Sequence, residues 1–266
     1  MLSFLLMKIL ISNDDGINSP GLWALATHLS AVAGIAVVAP DREQSATGTA
    51  LTLRQPLRVR KAASPIDGIE CFAAEGMPGD SVILGLDKLV PGPVSLVVSG
   101  INSGPNLGDD VLISGTVGAA LQGYLRNVPA IAVSTVSIES EYLEVPAGLA
   151  AIIAADFNAG RLPDDIFLNV NVPDLPLDKI KGIRITNLAH KTNIDSVQEG
   201  HDGRREFYWL VRRKLDFEAA ADTDIKAIED NCISVTELHA NLFRKPQIST
   251  LGSLCQEWFR KLKNPS

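Results

Sequence analysis

KILISNDDGINSPG, residues 8–21, decides the fold class. The largely apolar run over 7–12 offers no polar face to water, which reads as a strand covered on both sides in a parallel sheet. It stops at Asn13-Asp14-Asp15-Gly16. Ser19-Pro20 then opens a helix, with serine at the cap and proline at the first helical position. Leu22, Leu25, Ala26 and Leu29 carry that helix on one face. The strand–turn–helix rhythm repeats, with buried strands expected at 35–39, 94–99 and 131–134 and a small-residue helix over 114–125. Alternation and the turn signals Ser64-Pro65 and Asp67-Gly68 predict a hairpin within 56–76. Farther on the pattern predicts a helix at 146–157 and strands at 166–170 and 183–187. An irregular polar stretch follows at 188–206, then a strand at 207–211 flanked by Arg204, Arg205, Arg212 and Arg213. The chain finishes with a helix at 223–229, a strand at 233–236 and an amphipathic helix at 249–263. The expected fold is α/β: a three-layer, Rossmann-like, doubly wound and mostly parallel sheet over 1–187. Residues 188–266 form a smaller, less regular C-terminal part made of a hairpin arm, a closing strand and a terminal helix.

Composition narrows the function. The 266 residues are 46% hydrophobic and 21% charged, which suits a chain with a packed core and excludes a disordered one. A net charge of −7 argues against a broad surface for duplex nucleic acid. Cys71, Cys232 and Cys255 are widely spaced and form no CxxC pair, so neither a disulfide framework nor a cysteine zinc site is expected. A reducing, cytoplasmic setting fits. No apolar run approaches the ~20 residues of a membrane span. The first six residues resemble the start of a signal peptide, yet no small-residue cleavage site follows before Asn13, and Met7 is an alternative start.

In open parallel sheets ligands bind outside the carboxyl ends of the strands. Asn13, Asp14, Asp15 and Gly16 follow the first expected strand, and Asp41 to Ser45 follow the second. Gly100, Asn102, Ser103, Asn106 and Asp109 follow the third. Two adjacent carboxylates at a buried strand end resist joint ionisation. They need a proton, a cationic side chain or a metal ion. Asp14, Asp15, Ser45 and Asn102 form an all-oxygen set suited to a hard dication. The competing local readings are a turn whose carboxylates cap the helix at Ser19, and an Asx-turn loop over 102–106. Ser114-Gly115-Thr116 opens a helix with tiny residues, which suits either an anion at its N-terminus or close packing on a strand. His28, His190, His201 and His239 are scattered and form no metal-ligand pair. There is no GxSxG elbow and no Walker lysine.

These residues resemble the SurE family of stationary-phase survival proteins and metal-dependent nucleotidases. The matching stretches are KILISNDDGINSPG (8–21), VVAPDREQSATGTALTL (37–53), VVSGINSGPNLGDD (97–110), SGTVGAA (114–120), NVNVP (169–173) and SVTELH (234–239). The resemblance implies one divalent ion per subunit, Mg²⁺ or Mn²⁺, on Asp14, Asp15, Ser45 and Asn102. It implies hydrolysis of nucleoside monophosphates, with 5′-, 3′- and polyphosphate activities all within the family's range. It also implies homodimers or homotetramers built by exchanged C-terminal segments or arms. The chain departs from the family pattern at Leu112-Ile113, where a tyrosine is usual, at 75–81, at Asn231-Cys232 and after Tyr208-Trp209.

The expected mechanism is metal-assisted hydrolysis. Asp14 and Asp15 are the catalytic carboxylates, with Asp14 orienting or deprotonating the attacking water. Asn13, Gly16, Asn106, Ser114, Gly115 and Thr116 surround the phosphate. Two competitors also fit an acidic strand end. A receiver-like signalling module needs a phospho-accepting aspartate after the third strand, where this chain has Ser99-Gly100. A haloacid-dehalogenase-type phosphatase needs Asp-x-Asp, and here the carboxylates are adjacent.

Overall fold

A computed structural model describes residues 7–190, 194–212, 219–241 and 251–263. Five parallel strands form its centre: β1 (Lys8–Ser12), β2 (Gly34–Pro40), β5 (Leu96–Ser103), β6 (Ala130–Thr135) and β7 (Phe167–Val172). With β3 (Val59–Lys61), β4 (Glu70–Ala74), β8 (Ile183–Ile185) and β11 (Ile233–Glu237), they make a nine-stranded sheet in the order β3-β4-β2-β1-β5-β6-β7-β11-β8. Strand interiors alternate between two cores. Ile9 and Ile11 join Val37, Val98 and Val133 against α1 (Pro20–Ser30) and α4 (Glu144–Asn158). Leu10 joins Val38, Val97 and Ala132 against α2 (Pro78–Leu84) and α3 (Gly115–Tyr124). Each strand is therefore apolar on both faces, which is why the run at 7–12 shows no period of two. Helices cover both faces, and the three-layer α/β fold is present.

The strand order reverses beside β1. The chain lays β2 and β4 on one side, then returns to place β5, β6 and β7 on the other. Such a switch point opens a crevice at the carboxyl ends of the strands on either side. The segments after β1 and at the end of β5 are those carrying Asp14, Asp15 and Asn102.

Several expectations need correction. The stretch at 188–206 is not irregular throughout, because β9 (Ile194–His201) pairs antiparallel with β10 (Glu206–Arg212) as a separate two-stranded sheet. Its sequence IDSVQEGH has little apolar alternation, and backbone pairing with β10 makes the strand. The hairpin within 56–76 does form between β3 and β4, but β4 also pairs parallel with β2 and so belongs to the main sheet. Strand β5 runs past 99 to Ser103, with a register shift against β6 between Ser99 and Asn102. Asn102 and Ser103 are thus strand-end residues, not loop residues. Helix α2 had no counterpart in the sequence reading. Its start is local, with Pro78 in the first turn and Asp80 Oδ2 accepting from the Met77 N–H at 2.8 Å. Helix α5 (Asp224–Glu229) and strand β11 follow the arm, and β11 inserts between β7 and β8. The terminal helix is α6 (Leu251–Lys263); residues 249 and 250 of the expected helix lie outside the described residues.

Candidate active site

Strand β1 ends on a turn built by its own side chains. Asn13 Nδ2 donates to the Gly16 carbonyl at 3.0 Å, and the Gly16 N–H donates back to Asn13 Oδ1 at 3.2 Å. Gly16 has φ +91°, and a Cβ there would stand 2.9 Å from the Arg42 carbonyl carbon, so only glycine closes this turn. The turn aims Asp14 at the start of α3. Asp14 Oδ1 accepts from the Thr116 hydroxyl. A Cβ on Gly115 would come within 2.7 Å of the Asp14 Cβ. Gly115 is therefore the residue that lets this carboxylate reach the helix N-terminus. Ser114 caps α3, its Oγ accepting from the Val117 N–H at 3.1 Å. Asp15 points the other way, its Oδ2 accepting from the Ser103 N–H at 3.0 Å. Neither carboxylate caps α1. Ser19 holds the N-cap position of α1, yet its side chain makes no capping bond, and its buried Oγ has no partner among the described residues.

The electrostatics match this geometry. Burial, opposed by the Thr116 hydrogen bond and reinforced by the charge on Asp15, pushes Asp14 up to about 7. Burial also raises Asp15, against the Ser103 backbone N–H that holds it down. Both carboxyls sit where ionisation is disfavoured.

A cleft of about 740 Å³ opens in front of them. Asp14, Asp15, Ser45, Asn102, Asn106 and Ser114 all line it, together with Ser19, Glu43, Ser103, Asp110, Ile113, Ile138 and Leu210. Asn13, Gly16, Gly115 and Thr116 are not among its lining residues; they act from behind. Asn13 and Gly16 shape the turn, Gly115 gives Asp14 room, and Thr116, fully buried, commits its hydroxyl to Asp14. The place of Ile138 and Leu210 in this wall could not be read from sequence, since they come from segments far apart and neither sits in a motif, and Ser19 and Asp110 lie inside the quoted stretches without having been singled out as cleft residues. Ser103 and Glu43 were visible only as neighbours of candidates.

Among the described residues, the lining presents four carboxylates, Asp14, Asp15, Glu43 and Asp110, and no lysine, arginine or histidine. Among the described lining residues no cationic side chain offsets the aspartate pair. Asn102 Nδ2 donates to the Gly104 carbonyl at 2.7 Å, which leaves its Oδ1 as an acceptor with no donor on it among the described residues. The Ser45 hydroxyl donates to Glu43 Oε1 at 2.7 Å, leaving its oxygen lone pairs to accept. Two carboxylates, an amide oxygen and a hydroxyl oxygen fit a hard dication and not a soft one. No group of three histidine, cysteine, aspartate or glutamate side chains suited to a metal occurs among the described residues. A mixed set with neutral oxygens is what the cleft offers.

The loop after β5 is clamped by side chains of β6, β7 and α5. The Asn106 N–H donates to Asn171 Oδ1 at 2.8 Å, and its carbonyl accepts from Asn169 Nδ2 and Asn171 Nδ2 at 2.8 and 3.0 Å. Its own Nδ2 donates to Ser134 Oγ at 2.8 Å. Two residues on, the Gly108 N–H donates to Asp224 Oδ2 at 2.7 Å.

Known proteins share this frame. A family model described as "Survival protein SurE" matches residues 9–195. A protein of Dehalococcoides mccartyi strain CBDB1 named 5′-nucleotidase SurE is 58% identical over 242 residues, covering 90% of this chain and 91% of its own. One of the same name from Legionella pneumophila strain Paris is 40% identical over 252 residues, covering 94% and 98%. The crystal structure of the SurE protein from Aquifex aeolicus superposes with a TM-score of 0.78 at 34% identity, covering 94% of this chain and 99% of that one. The family match spans every cleft-lining segment except the arm that carries Leu210, and with the turn, the sheet order and the whole-length relatives in agreement, the chain belongs to the SurE family.

Proposed function

We propose that the cleft hydrolyses nucleoside monophosphates to nucleoside and phosphate as a metal-dependent 5′-nucleotidase. The observation that carries this reading is the buried pair Asp14 and Asp15 facing a cleft whose described lining is acidic and holds no basic side chain. A phosphomonoester dianion enters such a cleft only if a cation enters with it. Asp14, Asp15, Asn102 and Ser45 would hold one Mg²⁺ or Mn²⁺. When bound, that ion neutralises phosphoryl charge and acidifies a coordinated water.

The chain's own residues supply the rest. Thr116 holds one oxygen of Asp14 and leaves Oδ2 to orient the attacking water and take its proton. The Ser103 N–H fixes Asp15, and the Gly104 carbonyl fixes which face of the Asn102 amide is presented. Asn106 and Ser114 meet the phosphate from the cleft wall, with Gly115 and Thr116 behind them and the Asn13–Gly16 turn beneath. The names borne by the 58% and 40% identical relatives support the 5′ position. The exposed apolar residues of the arm and of α6, Trp209, Leu210, Trp258 and Phe259, support assembly into homodimers or homotetramers. Among the described residues no helix is long and apolar enough to cross a membrane, and the three cysteines are free, which supports a cytoplasmic setting.

The test is phosphate release from 5′- and 3′-nucleoside monophosphates with Mg²⁺, with Mn²⁺ and with EDTA. Release from the 5′-esters that requires metal and stops in EDTA is the expected result. Undiminished release in EDTA, or none with either metal from folded protein, overturns the reading.

A further inference from the structure

Each of the four side chains offered to the cation is held by a protein partner. Asp14 has the Thr116 hydroxyl, Asp15 the Ser103 N–H and Asn102 the Gly104 carbonyl. Of the four, Ser45 alone leans on an ionisable side chain, its Oγ donating to Glu43 Oε1 at 2.7 Å. Glu43 lines the same cleft without belonging to the cation-holding set.

The pair stands on the segment after β2, two residues apart and exposed. If that segment depended on the contact for its shape, the role of Glu43 would end there. It has other ties. The Gln44 N–H donates to the Asp14 carbonyl at 2.7 Å, and the Gly48 N–H donates to the Ile113 carbonyl at 2.9 Å. Backbone thus straps the segment to the turn after β1 and to the residue before Ser114. The Thr47 hydroxyl closes it from within, donating to the Gln44 carbonyl at 2.8 Å. Ala46, directly after Ser45, is held at φ +56°, where a residue with a side chain rarely sits. The backbone of Ser45 is placed without help from Glu43. What the carboxylate adds is the direction of one proton.

A serine hydroxyl carries one proton and two lone pairs, and an unrestrained one turns its proton to suit its surroundings. A cation needs the lone pairs. A carboxylate that takes the proton settles the orientation, and a hydroxyl–carboxylate bond of about 2.5–2.7 Å is among the stronger hydrogen bonds. We propose that Glu43 is the positioning residue for Ser45, holding the hydroxyl proton so that the oxygen lone pairs are what the cleft offers to a hard dication. This deepens the metal-dependent reading above and rests on it. Glu43 works through Ser45 and not by its charge. That charge does raise Asp15, but burial raises it more, and an exposed carboxylate is well screened by water and salt.

The experiment titrates Mn²⁺ into the metal-free full chain, with no substrate present, and reads Kd from the loss of the free-ion EPR signal. The wild type is compared with Glu43→Ala, Glu43→Gln, Ser45→Ala and the Glu43→Ala, Ser45→Ala double variant. Glu43→Ala is expected to weaken Mn²⁺ binding about ten-fold, the lower end for losing the partner that orients a metal ligand. Glu43→Gln keeps an acceptor oxygen without the charge and should stay within about three-fold of the wild type. Ser45→Ala weakens binding by about ten-fold or more, and adding Glu43→Ala to it changes Kd by less than about two-fold, because the two losses are one loss. Melting temperatures in EDTA should agree across the set, since both side chains are exposed. Four results each overturn the positioning role while cation binding by the cleft stands. They are binding unmoved by Glu43→Ala or by Ser45→Ala, Glu43→Gln as weak as Glu43→Ala, losses that multiply in the double variant, and a fall in the EDTA melting temperature of Glu43→Ala. A wild type that binds no Mn²⁺ overturns both.

Discussion

Two buried aspartates in this molecule meet the same physical problem and answer it differently. Asp14, at the end of β1, and Asp224, at the start of α5, are almost wholly withdrawn from water, and burial raises both carboxyls. Asp224 is answered by backbone. Oδ2 accepts from Gly108 N–H at 2.7 Å, and Oδ1 from Ala189 and Ile225 N–H at 3.0 and 2.9 Å. Asp14 has the Thr116 residue on one side and the like charge of Asp15 on the other. A carboxylate with its acceptor sites filled by the protein is an anchor, stitching α5, the segment after β8 and the loop after β5 together. A carboxylate that shares its burial with a like charge and faces a cleft is a candidate ligand. The difference sets Asp14 apart from Asp224 without reference to any relative.

The contrast is sharpened most by substituting the two acids. Asp14→Asn keeps the shape and an acceptor for Thr116 but removes the charge. Metal-dependent phosphate release should fall about 100- to 1,000-fold, the scale of losing a key electrostatic group in an active site. The melting temperature at pH 8 should hold or rise, because a like-charge neighbour of Asp15 is gone. A variant of full activity would break the assignment. Asp224→Ala should do the reverse in kind. It strands two buried N–H groups, of Gly108 and Ala189, and the part-buried one of Ile225, at a cost of about 3 kcal/mol in urea or thermal unfolding. Activity falls too, by roughly ten-fold, as the loop carrying Asn106 loses its tie at Gly108. Unchanged stability would mean that Asp224 is no anchor.

The smallest effect is a slope. Asp14 has its folded-state value near 7 against an ordinary 3.8. Between those values the folded protein keeps a proton that the unfolded chain has released. Stability in EDTA is therefore greatest below about pH 4 as far as this group is concerned, and it is lost as the pH rises through about 7. Asp15 shifts in the same direction and adds to the slope. Mn²⁺ favours the ionised pair, so the metal-induced rise in melting temperature should be larger at pH 8 than at pH 5. Thermal melts at the two pH values, with EDTA and with Mn²⁺, measure it. Equal rises at both would show that the pair is ionised in the metal-free fold.

Much of the site was legible because its chemistry is local. A buried apolar run ending in Asn-Asp-Asp-Gly states where the strand stops and which side chains leave the sheet together. Asn102 was legible for the same reason after the run at 94–99, though the register shift that keeps it in β5 was not. The roles of Asn13 and Thr116 were less legible. Both were expected at the phosphate, and the structure gives each side chain a protein partner, Asn13 the Gly16 backbone and Thr116 the Asp14 carboxylate. A polar side chain beside a ligand pocket and one that braces it look alike in sequence, because the distinction is a matter of direction.

The order of hydrophobic runs, polar strand ends and helix caps in this chain decided the α/β class and brought Asp14, Asp15, Ser45, Asn102, Asn106 and Ser114 forward as candidates. Each of those signals comes from residues within one turn or one strand of each other. Tertiary structure alone decided that β11 enters between β7 and β8, that Asp224 anchors the loop bearing Asn106, and that Ile138 and Leu210 wall the cleft that Asp14 faces. Those contacts join segments tens to more than a hundred residues apart. What brings them together is the burial of both faces of one sheet, a free energy that depends on the whole core and is written in no single stretch of it.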